Sequence, residues 1–204
     1  MAKIALYGFG RIGRQFLRIA LKNNLFVPEV IADIQDIDLL GALFSVDSNY
    51  GRWHEEVKTA DENFIIGDRK IPYKNSKLEI PDWKALGVDL VVDCTGRATN
   101  RENAQKHIDR GAKYVLLSAH SKSLADCDAV LLKGINLDEF DAANHKIISI
   151  GSCTTNALAA VVKVIKENFG IEYDLIDAKT GDRGEIQHHD RRKQRPDLGG
   201  AARL

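Results

Sequence analysis

Short apolar runs alternate with amphipathic ones along most of this chain. The run Lys3–Tyr7 is followed by Ile12, Phe16, Ile19 and Ala20 at helical spacing, which predicts a strand and then a helix to about Lys22. A second strand is expected over Val27–Ala32, ending in Asp33, and a second helix around Leu39, Leu40, Leu43 and Phe44. Phe64–Ile66 and Lys70–Tyr73 flank Gly67-Asp68-Arg69, the pattern of a hairpin. Pro81-Asp82-Trp83 opens a short helix with proline in its first turn, and Gly87 closes it. Further strands are expected at Asp89–Cys94, Lys113–Leu117, Asp128–Leu132 and Lys146–Ile150, with a helix at Asn100–Arg110. Each strand is apolar along most of its length, and strands alternate with helices. That describes an α/β fold: a doubly wound, mostly parallel sheet covered on both faces.

Composition narrows the classes. At 204 residues the chain can hold one good domain and a small appendage. Apolar content of 44% and charged content of 28% are those of an ordinary globular protein. A net charge of zero gives no reason to expect nucleic acid or an anionic membrane as partner. No apolar run approaches the roughly 18 residues that span a bilayer. The start, MAKIALYGFG, runs straight into a strand and lacks the design of a signal peptide. The three cysteines have neither metal-ligand nor disulfide-framework spacing, and Cys94 and Cys127 lie in or beside apolar strands. A reducing cytoplasm is the expected compartment.

Two stretches carry chemistry. Gly8-Phe9-Gly10-Arg11-Ile12-Gly13 stands between the first strand and the first helix, the context that a dinucleotide fingerprint demands, and makes the domain Rossmann-type. Gly8 makes the tight turn, Gly10 lets backbone approach a pyrophosphate, and Gly13 lets helix pack on strand. The helix N-terminus then receives the phosphate charge. Asp33, about 20 residues further on, can bond both ribose hydroxyls and would repel a 2′-phosphate, so the expected cofactor is NAD and not NADP. The plainer alternative is a solvated acid at a strand end.

The second stretch is Gly151-Ser152-Cys153-Thr154-Thr155-Asn156, followed by Leu158, Val161, Val162, Ile165 and Phe169 at helical spacing. Ser152 is a natural N-cap, which puts Cys153 in the first helical turn. Unpaired N–H groups and the helix dipole favour an anion there, and the thiolate is the nucleophilic form of cysteine. The plainer alternative is a small apolar cysteine filling space. His107 is expected to be a partly exposed helical residue and not a ligand.

Ser152-Cys153-Thr154-Thr155-Asn156 before an apolar helix, together with GFGRIGR at the N-terminus, resembles the glyceraldehyde-3-phosphate dehydrogenase family, over residues 3 to about 176. The resemblance implies a glycolytic, NAD-dependent, phosphorylating oxidation of an aldehyde in the cytoplasm. Cys153 would attack the aldehyde, hydride would pass to NAD, and inorganic phosphate would release the thioester. Ser152 and Thr154 would seat phosphate. Gly8, Gly10, Arg11, Ile12, Gly13 and Asp33 would hold NAD, with the Thr95-Gly96 turn passing under the dinucleotide and Ser118 on its nicotinamide side. The family forms tetramers, so a homo-oligomer is implied, with no nucleic-acid or membrane partner. Residues 1–151 would be the NAD-binding domain, and 152–204 an incomplete remnant of the α+β catalytic domain.

The sequence also departs from the family. His120 stands where proline is usual, and Tyr50 where histidine is common. Asn75-Ser76-Lys77 offers only Lys77 for a basic residue near the adenine. The family's histidine base lies on the strand after the nucleophile helix. The matching position here is Thr180, or Asp177 after a small shift, and neither can replace an imidazole near neutral pH. His188 and His189 are candidate substitutes for that base, with a solvated basic stretch as the expected alternative. Residues 177–204 are mostly polar and expected to be mobile. Fragment, frameshifted product and genuine short form all remain open. So do two further functions: a non-catalytic NAD-binding module, and oxidation of erythrose 4-phosphate by the same chemistry.

Overall fold

In chain order, the elements of the computed structural model, which describes residues 2–170, are β1 (Ile4–Tyr7), α1 (Arg11–Lys22), β2 (Val30–Asp33), α2 (Ile37–Ser45), β3 (Val46–Asp47), β4 (Gly51–Arg52), β5 (Val57–Ala60), β6 (Asn63–Ile66), β7 (Arg69–Asn75), β8 (Leu90–Asp93), α3 (Arg101–Asp109), β9 (Tyr114–Leu117), β10 (Ala129–Val130), β11 (Ile147–Ser149) and α4 (Cys153–Phe169). Thr180, Asp177, His188 and His189, with the rest of the expected mobile tail, lie outside the described residues.

Nine of these strands form one sheet in the order β10-β11-β9-β8-β1-β2-β7-β6-β5. It is parallel from β10 to β7, and β6 and β5 close the edge as an antiparallel meander. The chain builds outward from β1 through β2 to β7, then returns to β8 on the other side of β1 and builds outward again. The strand order therefore reverses between β1 and β8. In an open α/β sheet the crevice outside the carboxyl ends at such a reversal is where ligands bind.

β1 shows why these strands are apolar almost throughout. Successive side chains point to opposite faces, and both faces are covered. Leu6 joins Phe9, Leu17, Ile31, Phe44 and Phe64 on one side, while Ala5 joins Val30, Trp83, Val88 and Val91 on the other. The doubly wound α/β expectation holds, as does the hairpin, now β6 and β7, which β5 extends.

Several details differ from expectation. The buried face of α1 is Gly13, Leu17, Ala20 and Leu21 together with Arg14 and Arg18, whereas Ile12 and Ile19 are more than half exposed. The two arginines hide this face from a hydrophobicity pattern. Arg18 donates to the Phe44 and Gly51 carbonyls and lies over the Phe44 and Trp53 rings; Arg14 donates to the Phe9 carbonyl at 3.2 Å. Guanidinium groups can be buried where carbonyls accept their protons. β2 starts at Val30, not Val27, because Pro28 has no N–H for a ladder. The helix expected at Pro81 is a single turn, with the Ala85 N–H donating to the Asp82 carboxylate at 3.0 Å.

His107 corrects the sequence reading: it is 1% exposed, beneath the sheet's carboxyl edge. α4 begins where expected, but Val161, Val164, Ile165 and Phe169 on it are exposed.

Burial pushes the Cys94 thiol up to about 12, and the Tyr73 hydroxyl, also buried and near the Asp33 and Asp36 carboxylates, to about 12. The folded chain holds both protons more tightly than the unfolded chain does. The associated stability is complete below the unfolded values and is lost as pH rises through the folded ones. The urea midpoint should therefore fall between about pH 9 and about pH 12, and Cys94→Ala should flatten the first part of that fall. A midpoint unchanged across this range would contradict the burial of both groups.

Candidate active site

The carboxyl ends of β1, β2 and β8 enclose a cleft of about 440 Å³ at the strand-order reversal, lined in part by Tyr7, Gly8, Gly10, Asp33, Thr95 and His107. Three glycines build its floor for three different reasons. Gly8 has φ +90°, and a Cβ there would lie 2.7 Å from Thr95 Cγ2. A Cβ on Gly13 would lie 2.2 Å from the Gly8 carbonyl oxygen, because α1 starts directly on the turn. A Cβ on Gly10 would meet nothing within 4 Å, so the backbone there faces open space. Gly10 is the N-cap of α1 and offers no side chain to the first-turn N–H groups, which remain available to an anion.

Asp33 has a second role that the sequence did not suggest. Its Oδ2 accepts the Phe9 N–H at 2.6 Å and its Oδ1 the Gln35 N–H at 2.9 Å. The carboxylate thus ties the glycine turn to β2, while each oxygen keeps acceptor capacity. Arg11 and Ile12 stand exposed in the first turn of α1 and do not line the cleft. Lys77 is exposed, and its N–H donates to the Asn75 side chain.

Thr95 follows β8, and Gly96 turns the chain at φ +68°. The Thr95 N–H and hydroxyl both donate to Asp93 Oδ1, at 2.8 and 2.6 Å. Ser118 lies at the end of β9, half-buried, with its N–H on the Asp93 carbonyl at 3.0 Å. Sequence reasoning missed Asp93, a charged residue 3% exposed at the end of an apolar strand. It also missed Ser76, buried on the cleft wall beside the Tyr7 hydroxyl.

Cys153 is exposed as the first residue of α4. Ser152 caps the helix as predicted: its Oγ accepts the Thr155 N–H at 3.0 Å and lies 2.8 Å from both the Thr154 and Thr155 hydroxyls. Asn156 reaches back to the Ile150 carbonyl at 2.8 Å. Ser149, fully buried and also missed, joins this turn to the neighbouring one: its hydroxyl donates to the Ala119 carbonyl at 2.9 Å and accepts the Gly151 N–H at 3.1 Å. The Cys153 turn is thereby tied to the Ser118-Ala119 turn. Gly8, Gly10, Asp33 and Thr95 meet in the cleft, whereas Ser118, Ser152, Cys153 and Thr154 stand further along the same edge of the sheet.

The three thiols should differ in reactivity. Cys94 and Cys127 are buried and Cys153 is exposed. Alkylation of the folded chain near neutral pH, read by mass spectrometry, should label Cys153 first. Earlier labelling of Cys94 would contradict both its burial and the suppressed ionisation that burial causes.

A dinucleotide suits this cleft on several counts. The cleft lies at the strand-order reversal, a helix N-terminus opens onto it, and the backbone at Gly10 is unobstructed. Asp33 keeps acceptor capacity beside it. Among the described residues no cluster of His, Cys, Asp and Glu could hold a metal ion, and no helix is long and apolar enough to cross a membrane.

Residues 2–101 match the family model described as glyceraldehyde 3-phosphate dehydrogenase, NAD binding domain. The chain is similar to the glyceraldehyde-3-phosphate dehydrogenase of Chlamydia pneumoniae, at 44% identity over 177 residues that cover 85% of this chain and 52% of that protein. Similarity to the protein of the same name from Geobacillus stearothermophilus is 38% over 199 residues, covering 95% of this chain and 58% of that one. With glyceraldehyde-3-phosphate dehydrogenase 2 of Bacillus subtilis it is 38% over 200 residues, with the same coverage. The chain spans little more than half the length of these relatives.

Proposed function

Since this chain belongs, through its NAD-binding domain, to the glyceraldehyde-3-phosphate dehydrogenase family and takes NAD as its cofactor, we propose that Cys153 captures the aldehyde carbon of a phosphorylated sugar. The observation that carries this reading is the exposed thiol at the first position of α4, among three hydroxyls. The sulfur adds to the carbonyl carbon as a thiohemiacetal, and the Cys153 N–H is offered to the oxygen as charge develops on it. Ser152 and Thr154 supply hydroxyl donors for a phosphate group. When bound, NAD supplies the acceptor for the hydride that leaves the captured aldehyde carbon.

The residues that would hold NAD are Gly8, Gly10 and Gly13 with the first turn of α1, where Arg11 and Ile12 stand, together with Asp33, Thr95, Gly96 and Ser118. Asp33 accepts from ribose hydroxyls and excludes a 2′-phosphate by charge. Residues 1–151 would be the NAD-binding domain and 152–204 a truncated segment of the catalytic domain. Glyceraldehyde 3-phosphate and inorganic phosphate are the co-substrates, and a homo-oligomer in the cytoplasm is the working form.

One feature of the sequence favours a second reading, NAD binding without turnover. The family's base position falls on Thr180 or Asp177, and loss of a general base costs on the order of 10² to 10⁴ in rate. NADH formation from glyceraldehyde 3-phosphate, NAD and phosphate decides between the two. Slow formation that depends on Cys153 supports the enzyme. NAD binding with no formation above a Cys153→Ser blank leaves the binding module.

Asp33→Ala should narrow the preference for NAD over NADP. Titration calorimetry with both cofactors measures this. Equal affinity for the two in the unmodified chain would defeat the ribose role of Asp33.

A further inference from the structure

Beneath the cleft lies a chain of hydrogen bonds whose direction is set at one end. The Trp83 indole N–H can only donate, and it donates to His107 Nδ1 at 3.1 Å. Nδ1 is therefore unprotonated, and the ring proton sits on Nε2, which faces Asp93 Oδ2 at 3.3 Å. The other carboxylate oxygen, Oδ1, takes both the N–H and the hydroxyl of Thr95. With its proton spent on Asp93, Thr95 Oγ1 accepts the Arg97 N–H at 3.0 Å. The Asp93 carbonyl meanwhile accepts the Ser118 N–H. His107 is held sideways as well: the Tyr7 ring meets it edge-on, 4.6 Å between centroids.

All of these bonds are made within the protein itself. A buried carboxylate with one oxygen on a histidine and the other on a turn is expensive to leave half-satisfied. The geometry points to Asp93 and His107 as positioning residues for the dinucleotide: His107 orients Asp93, and the Asp93 carboxylate holds the Thr95-Gly96 turn in the place from which it meets NAD. This rests on the cleft being the NAD site. The two side chains act through that turn and need not touch the cofactor.

Titration of the full 204-residue chain with NAD, each variant also melted thermally, tests the inference. The amide nitrogen of a glutamine can donate where Nε2 does, and leucine cannot. His107→Gln should keep the dissociation constant within about threefold, while His107→Leu should raise it about tenfold or more. Thr95→Val removes the hydroxyl at the other end of the chain and should act similarly. The double variant His107→Leu with Thr95→Val should be no weaker than the worse single, because both break one linkage.

Equal weakening by glutamine and leucine, in step with lost melting temperature, would reduce His107 to a core residue and overturn the inference. Additive losses in the double variant would overturn it too. Should His107→Leu fail to fold, Asp93→Asn decides: it keeps the shape but offers an amide N–H where Nε2 or Thr95 needs an acceptor, and unchanged NAD binding by it defeats the linkage. No NAD binding by the unmodified chain would instead defeat the cleft assignment, and this inference with it.

Discussion

Cys153→Ser should bring NADH formation down to the background, a loss of at least about a thousandfold in whatever turnover the chain has, while NAD binding changes little. The thiolate is the attacking atom, and a serine hydroxyl in the same place stays protonated and weakly nucleophilic. The structure allows the substitution without collateral damage. Cys153 is exposed, and the capping bonds of α4 come from Ser152 and not from the cysteine. Its loss therefore leaves the helix start intact. Activity retained by the serine variant would move the chemistry elsewhere in the chain. An equal loss of NAD affinity would mean that the cysteine turn has been misjudged as a part separate from the cleft.

Gly13→Ala should damage fold and cofactor site together. The added methyl would sit 2.2 Å from the Gly8 carbonyl oxygen, a backbone atom that cannot swing aside. Either α1 moves off the turn or the turn moves off α1. Overpacking of this kind costs about 1–3 kcal/mol, and the upper end is expected where backbone must shift. Gly8 also abuts Thr95, so the displacement spreads to the turn after β8. NAD affinity should fall by about tenfold or more, with a lowered melting temperature. Gly10→Ala separates the two effects. That position has φ −71° and nothing within 4 Å, so the folded state should tolerate alanine, while the methyl occupies the open space over the start of α1.

The parts of this molecule that were legible in its sequence are those governed by local pattern. Strands buried on both faces are apolar runs, and Ala5 and Leu6 show how one strand serves two cores. The glycine turn, the Asp33 position and the Ser152 cap are short-range features, and each sits where its spacing put it. What was missed depends on distant partners. Arg14 and Arg18 read as solvent-facing because the carbonyls that accept their protons come from other segments. β5 was missed because its inward and outward positions include Lys58 and Thr59, and an edge strand needs only half its residues covered. Asp93, His107 and Trp83 become one unit only when β8, α3 and the turn at Trp83 are brought together. The available signal was an aspartate closing an otherwise apolar strand. Such a residue needs partners to be buried, and a histidine one helix further on was a candidate.

One calorimetric comparison tests most directly whether the cleft at the strand-order reversal is the NAD site. The full chain and its Gly10→Ala variant are titrated with NAD after their melting curves have been matched. The expected result is saturable one-to-one binding by the unmodified chain and loss of binding by the variant at nearly unchanged melting temperature. No binding by the unmodified chain, or equal binding by the two, would contradict it.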